Sequence, residues 1–582
     1  MHTKKVTLSD ILTGERRHVI PVYQRMYSWT KKDWQALWTD IQALTEEADK
    51  GYEHFLGPII VDQNTLPYDI EQYLVIDGQQ RLATLSMILC ALRNLARRRK
   101  LKALELSINS YLSFNTTRGD VEYKLILRSQ DRETFVKVIE DRIGSDDNKE
   151  QLVKTFKFFM TEIRRDLPDD EENAFNYLND LFSTLKTRLK MVSISLESND
   201  DPTKIYESMN STGTKLLVSD LIRNYVLMHI PVNDQAFAQS AFFNKEWEPF
   251  EQQFTDSITE KLDNRELEDF YYRYLINKRG YFAKRLVYAA YKKEMQAYTA
   301  KHRPSVDNYH SLRILAADQS RYAQYYRRIV HPQYEHDSLL REAFERFGML
   351  DATTAIPFVM SLYARYENAS SAAHINKSTF LAMLNAMESF VIRRSLLRLR
   401  TRGYGLDFAQ ASDEASDLES LYKFFAKREW PNDAEVIEIL MSFPIYRREP
   451  KKTRLILTEL EKNYGHKEMV DLSDPKKIQI EHIMPQQPTK EWDETLGADA
   501  LSIRKKYLDA IGNLTLSGYN SELAARSFAD KKREYQKHGS GSHLELNTFV
   551  LSQETWTERE ILQRAKQMAA QFVKIWRRPE LN

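Results

Sequence analysis

The sequence predicts an α+β chain that is predominantly helical, with two strand-bearing regions on either side of a long helical middle. Three observations point there. Only 17 Gly and 17 Pro punctuate 582 residues, so the regular elements should be long. Runs that read as strands fall before residue 200 or so and after about 445. Between them, from 231 to about 430, the pattern is helical, with many Tyr, Arg and Lys. Three regions follow, at 1–230, 231–440 and 441–582.

In chain order, Ser9 is placed to cap a short turn, and residues 18–23 read as an extended segment. Thr30 with Asp33 forms a capping-box pattern, and behind it Trp34, Leu37, Trp38, Ile41 and Leu44 recur at helical spacing. Residues 55–62 and 73–76 are short apolar strands, the second running into Asp77-Gly78-Gln79-Gln80-Arg81. A helix follows, with Leu82, Leu85, Leu89, Leu92 and Leu95 on one face, ending in the basic run 97–100. Residues 191–196 form another strand, and Pro202 opens a helix over 203–209. After 445, residues 478–483 and 514–516 read as strands, 499–510 as a helix, and a further helix carries Phe528 and the run 531–533.

Composition excludes several classes. With 42% hydrophobic and 29% charged residues, the chain can bury several cores as an ordinary globular protein. The 84 Lys+Arg against 83 Asp+Glu leave a net charge of +1, which excludes a wholly basic nucleic-acid coat and an acidic tail protein. That near-balance conceals cationic tracts at 97–100, 393–402 and 531–533, so DNA stays compatible as a partner. No apolar run approaches the ~18 residues of a membrane span, and residues 1–10 lack a signal-peptide core. A cytoplasmic protein without membrane contact is expected. The single cysteine, Cys90, excludes a disulfide framework and a Cys-based zinc cluster, and its apolar setting predicts a buried side chain.

Three constellations could carry chemistry. At the strand–turn–helix of Asp77, Gly78, Gln79, Gln80 and Arg81, a helix N-terminus offers backbone N–H groups, and Arg81 adds a donor fork suited to phosphate. The alternative is that Asp77 caps the helix and Arg81 lies on the surface. No GxxxxGK[ST] is present, which excludes a P-loop ATPase. The second is Ile20-Pro21-Val22-Tyr23-Gln24-Arg25 with Tyr27 and Trp29. Aromatic and guanidinium groups there could stack on a base or read a group appended to one, or could simply pack beneath the Trp34/Trp38 helix. The third joins Glu481-His482-Ile483-Met484-Pro485-Gln486 to Gly512-Asn513-Leu514, then Asn520 and Lys531-Lys532.

A strand-borne acid–His pair, a return strand carrying Asn and a helix with another Asn describe a ββα-metal nuclease site. His482 would deprotonate water, Asn513 would fix the loop that positions it, and Glu481 with Asn520 would hold Mg²⁺ or Mn²⁺. Zinc is disfavoured, because no His lies three to five residues from His482. A Ser–His–Asp hydrolase lacks its GxSxG elbow.

Together these residues resemble the GmrSD-type, modification-dependent (type IV) restriction endonucleases. The first half resembles a ParB/sulfiredoxin-like α+β domain, through Pro21–Arg25 and Asp77–Arg81. A further family-like block runs from Ile205 to Gly213 and on through Ser219-Asp220-Leu221-Ile222-Arg223-Asn224. The C-terminal part resembles the family's HNH-type nuclease domain, extended by Phe528, Trp556, Ile561, Arg564 and Trp576. Met209 stands where Leu is usual and Arg223 where Lys is usual, the latter keeping a phosphate-capable cation.

The resemblance implies a nucleotide-binding and sensor domain over 1–230, a helical connecting and DNA-contact region over 231–440, and a nuclease domain over 441–582. It implies binding and hydrolysis of GTP or another NTP at Asp77–Arg81, with Tyr23, Gln24, Arg25 and Trp29 sensing the modification or touching the nucleotide. It also implies cleavage of modified double-stranded DNA in defence against phage. Arg393 and Arg394 resemble an Arg-Arg pair of the family after a Glu-x-Phe helix. With Arg398, Arg400 and Arg402 they make a phosphate track, which Lys531 and Lys532 would extend. The helix around Phe270 to Tyr274 mixes aromatics with a cation in a similar way, though a packed helix explains it better. One nuclease site per chain would make double-strand cleavage favour a homodimer. The rival readings are a ParB-like, NTP-dependent DNA-binding switch without cleavage, and a sulfiredoxin-like redox enzyme that would need a reactive Cys90.

Overall fold

The computed structural model describes residues 2–22, 24–47, 51–64, 71–116, 119–196, 217–230, 235–257, 259, 262–302, 308–465, 472, 478–487, 489–518, 525–537 and 544–580. It has two compact units, residues 1–268 with 291–317 and residues 269–290 with 318–582. The expected middle region is therefore no body of its own. Its helices are divided between the two units.

The first unit is built on a mixed sheet. Its strands are β1 (His2–Thr7), β2 (Arg16–Val19), β3 (His54–Asn64) and β4 (Glu71–Asp77), with β5 (Ser113–Asn115) and β6 (Val121–Tyr123) forming a separate ribbon. β7 (Leu125–Ile126) and β8 (Leu189–Leu196) complete the main sheet, in the order β1-β8-β3-β4-β2-β7. β2 runs parallel to both β4 and β7, whereas β3 and β4 are antiparallel, which sends β4 straight into the helix Gln79–Arg98. That helix is buried nearly all round: Gln80, Leu82, Ser86, Ile88, Cys90, Arg93 and Asn94 are covered along with the predicted leucine face. A helix clothed on every side forms the centre of a unit rather than its edge. Burial pushes the Cys90 thiol up to about 12, which leaves no reactive thiolate for redox chemistry.

The local rules hold with one shift. The Thr30/Asp33 capping box is formed, and the five residues Trp34, Leu37, Trp38, Ile41 and Leu44 are the buried face of Lys31–Glu46. The helix Leu8–Leu12 is capped by Thr7, whose N–H donates to Asp10 at 2.8 Å, and not by Ser9, which lies inside it. The predicted helix 203–209 lies outside the described residues.

Among the described residues the second unit is helical with one small sheet. Phe390 of the helix Lys377–Leu396 stacks on Phe425 at 4.3 Å, in a cluster that includes Tyr404, Phe408 and Trp430. Phe270 and Tyr274 are also core, stacked at 5.7 Å, with the Tyr274 hydroxyl donating to Asp318, so this segment is a packed helix. The small sheet pairs β9 (Gln479–His482) with β10 (Leu514–Ser517), antiparallel, Leu514 opposite His482.

The long helix Glu558–Ile575 supports this hairpin from behind. Its Arg564, 1% exposed, donates to the carbonyls of Gly512 (2.9 Å), Leu514 (2.6 Å) and Leu546 (3.0 Å). Burial pulls that guanidinium down to about 10. Gly512 is required here, because a Cβ would sit 2.2 Å from the Ile561 carbonyl oxygen.

Candidate functional site

The hairpin of the second unit carries the third motif. Side chains of successive strand residues point to opposite faces, so Glu481 and His482 part company. Glu481 faces the helix Phe528–Lys537 and meets Lys531, its Oε1 2.6 Å from Nζ. The same ammonium donates to the His482 carbonyl at 2.6 Å and is wholly buried. Burial raises the Glu481 carboxyl and lowers the Lys531 ammonium, each shift opposed by the partner's charge.

On the other face, His482 Nε2 lies 3.1 Å from Asp509 Oδ1 and the Tyr446 ring packs edge-on at 4.7 Å. Tyr446 also donates its N–H to the Asp509 carbonyl at 3.2 Å, which fixes the residue that holds the histidine. Burial lowers the imidazole below its ordinary range, with Asp509 opposing. A carboxylate only accepts, so Nε2 carries the proton and Nδ1 the lone pair. No described residue bonds Nδ1. The result is a neutral, oriented imidazole with one nitrogen available as a base.

Asn513 has every valence of its amide used. Oδ1 accepts from Met484 N (2.7 Å) and Trp556 Nε1 (3.1 Å), and Nδ2 donates to the carbonyls of Met484 (3.0 Å) and Leu508 (2.9 Å). Fully buried, it pins the turn after His482, and no polar atom of its amide is left over for a ligand. Asn520 lies outside the described residues. No group of three or more His, Cys, Asp or Glu side chains that could hold a metal exists among the described residues. Glu481, the expected metal ligand, is neutralised by Lys531. Among the described residues nothing joins Glu481 to complete a Mg²⁺ or Mn²⁺ centre, and its carboxylate is taken up by Lys531.

In the first unit the two other motifs dock on each other. Gly78 joins β4 to its helix with φ 101°, and a Cβ there would approach Ile59 Cγ1 to 2.9 Å, so both conformation and space demand glycine. Gln24 Nε2 donates to the Ile76 carbonyl at 2.7 Å and Gln24 Oε1 accepts from Gln79 at 3.1 Å. Gln80 accepts from Ser28 N at 2.8 Å and donates to the Met26 carbonyl at 3.2 Å. Arg81 donates to the Leu56 carbonyl (2.9 Å) and pairs with Asp77 (3.1 Å), whose carboxyl is raised by burial against the pull of Arg81.

Comparison with known families then decides what these crossings belong to. A family model described as the GmrSD restriction endonuclease N-terminal domain matches residues 8–227, and one for the C-terminal domain of GmrSD restriction endonucleases matches 430–571. Together they cover well over half of the chain. The chain belongs to the GmrSD restriction endonucleases. Its domains are those of a DNA endonuclease, with DNA as the substrate class. A search of curated proteins found no match. No helix of the described residues is long and apolar enough to cross a membrane.

Within this GmrSD chain several expected contact residues are structural. Gln24, Gln79 and Gln80 are consumed in tying the Pro21–Arg25 stretch to the helix start, and a phosphate at Arg81 would have to displace Asp77. Trp29 packs against the core and its carbonyl accepts from Gln151 at 2.7 Å. Arg25 is half-buried, with its charge felt at Asp77, and stays a candidate; Tyr23 lies outside the described residues. Arg223 is buried between Asp220 (2.9 Å) and Glu251 (2.6 Å), so it is no phosphate-binding cation.

Arg393 and Arg394 are likewise not a phosphate track. Arg393, fully buried, donates to the carbonyls of Trp576 (2.8 Å) and Pro431 (3.0 Å) and pairs with Asp433 at 2.6 Å. Arg394 donates to the Tyr404 hydroxyl (3.1 Å) and the carbonyls of Glu429 (3.0 Å) and Arg400 (2.9 Å). Lys531 is the partner of Glu481, and Lys532 donates to the Gln553 carbonyl at 2.6 Å.

The structure adds groups that sequence reasoning passed over. Asp509 is the partner of His482, and only the fold brings it there, 27 residues away. A cavity of about 560 Å³ opens beside the Pro21–Arg25 stretch. Val19, Ile20, Val22 and Ile126 give it an apolar side, and its charged lining sets Arg128, Arg132, Lys137 and Arg142 against the one carboxylate of Glu133. Arg128 Nη1 donates to the Gln24 carbonyl at 2.6 Å, and burial lowers this guanidinium to about 10. The i,i+4 spacing of Arg128 and Arg132 at a helix start was the available signal.

Proposed function

We propose that this GmrSD endonuclease hydrolyses modified foreign DNA under control of a nucleoside triphosphate, GTP or another, in defence against phage. The observation that carries the reaction is His482, held by Asp509 through Nε2 with Nδ1 open. In the reaction, Nδ1 takes a proton from water as the oxygen attacks phosphorus, and Asp509 keeps the tautomer and stabilises the imidazolium that forms. The P–O bond to one deoxyribose oxygen breaks, and that oxygen leaves as an alcohol after taking a proton from solvent. Asn513 and Arg564 hold the hairpin so that the base keeps its place. No step is assigned to Glu481, because Lys531 already neutralises it.

The nucleotide part of the proposal rests on the first unit. The cavity beside Pro21–Arg25 has nucleotide-like dimensions, apolar wall for a base and guanidinium groups for phosphate. Its Arg128 touches Gln24, and Gln24 touches Gln79, so occupancy there can be felt at the Asp77–Arg81 turn. The test compares wild type, His482→Ala and Asp509→Asn on modified and unmodified phage DNA, with and without NTP. Equal cleavage by His482→Ala removes the base assignment, and indifference of cleavage and binding to NTP removes the gate. The Lys531–Glu481 pair favours one second reading, a nucleotide-dependent DNA-binding switch that retains DNA without cutting it; the same assay separates the two.

A further inference from the structure

The five arginines between 393 and 402 divide into two kinds. Arg393 and Arg394 are interior, as described above. Arg398, Arg400 and Arg402 are exposed, and among the described residues none of the three forms an ion pair with a carboxylate. Three guanidinium groups in five residues, none paired with a carboxylate, concentrate positive charge on the surface of the second unit, and the acids beside the loop, Asp407 and Glu429, are paired with Arg428 and Arg394.

The interior arginine shapes the exposed three. Arg394 Nη2 grips the Arg400 carbonyl at 2.9 Å, and its own carbonyl accepts from Leu399 N at 3.0 Å. Arg398 adopts φ 55°, a left-handed conformation that costs a non-glycine residue about 1 kcal/mol or more and persists only where surroundings impose it. Gly403, φ 109°, then turns the chain into the helix Tyr404–Glu414. The loop is thus fixed before any ligand arrives, which reduces the ordering cost of binding.

An aromatic ring lies next to it. Tyr281 is 51% exposed, and its ring packs so closely on Gly405 that a Cβ there would sit 2.6 Å from Cε2. Exposed tyrosine beside unpaired arginines is the combination that meets a sugar–phosphate backbone. We infer that Arg398, Arg400 and Arg402, flanked by Tyr281 and held by Arg394, form a contact surface for the phosphate backbone of duplex DNA. This rests on the endonuclease reading and names the part of the second unit that would grip the substrate. The phosphate contacts expected of Arg393 and Arg394 move outward to their neighbours, and Arg394 becomes a positioning residue.

The experiment measures equilibrium binding of the full chain to duplex DNA against salt, in a His482→Ala background and with the DNA checked for intactness after each measurement. The triple variant Arg398→Ala/Arg400→Ala/Arg402→Ala is compared with its parent. Each lost phosphate contact removes about 0.9 from the slope of log K against log salt, so a fall of about 2.7 is expected with an unchanged thermal midpoint. Tyr281→Ala should weaken binding several-fold without changing the slope. An unchanged slope in the triple variant, while the parent binds DNA, overturns the inference and leaves the endonuclease reading standing. A parent that binds no DNA overturns both. A larger slope change on single-stranded RNA than on duplex DNA overturns the assignment of the partner.

Discussion

The turn at Asp77–Arg81 and the hairpin at Glu481–His482 are both motif-bearing strands that lead into chemistry-rich side chains, yet they differ in what is left over. In the turn, Gln24, Gln79, Gln80, Asp77 and Arg81 satisfy one another and nearby backbone. In the hairpin, Glu481, Lys531 and Asn513 do the same, but His482 keeps a ring nitrogen with no described partner. A motif residue can therefore serve as scaffold or as reagent, and what distinguishes them is the number of polar valences the fold leaves open.

The largest expected effect tests the open valence directly. His482→Ala should reduce single-turnover DNA cleavage by about 10²- to 10⁴-fold, the usual contribution of a general base, with DNA retention preserved in a filter assay. Lys531→Met comes next and addresses the closed side of the hairpin. It strands Glu481 in the interior and should cost about 3–5 kcal/mol in denaturant unfolding. Glu481→Gln combined with it should recover much of that loss if the pair is scaffold.

Smaller changes sharpen the contrast. Because burial lowers the His482 imidazole below the unfolded value of 6.5, the cleavage rate should fall only as pH drops below that value. The stability tied to the neutral ring is present above 6.5 and is lost as pH falls towards the folded-state value. Asp509→Asn removes the charge that opposes this lowering, so the acid limb of the pH–rate profile should move further down while the rate drops. Gln80→Ala leaves Ser28 N and the Met26 carbonyl without their partner and should cost about 1–3 kcal/mol, read by chemical denaturation. At the hairpin the same-sized loss is expected from Gly512→Ala, through its clash with Ile561.

Local signals in the sequence translated well. Spacing placed Trp34, Trp38 and Ile41 on one buried face, the Thr30/Asp33 box formed, and the strand return put Leu514 opposite His482. Asn513 was legible as a loop-fixing residue because it stands where a turn must be held. Charged residues were less legible. The run 393–402 has one composition but two environments, and periodicity does not say which guanidinium groups will find carbonyl acceptors at Pro431 or Trp576. Asp509 was invisible for the same reason: its relation to His482 exists only after the hairpin and the helix Ala500–Tyr507 have met.

Arg564 carries a consequence for the order of events in the cell. The carbonyls it clasps, at Gly512 and Leu514, belong to the strand return that positions the candidate base, but the clasp is encoded some fifty residues later. While the ribosome is still working toward that helix, the hairpin has no support from behind. A chain cut before residue 558 would lack this clasp, so the strand return beside His482 would have to hold its place without Arg564.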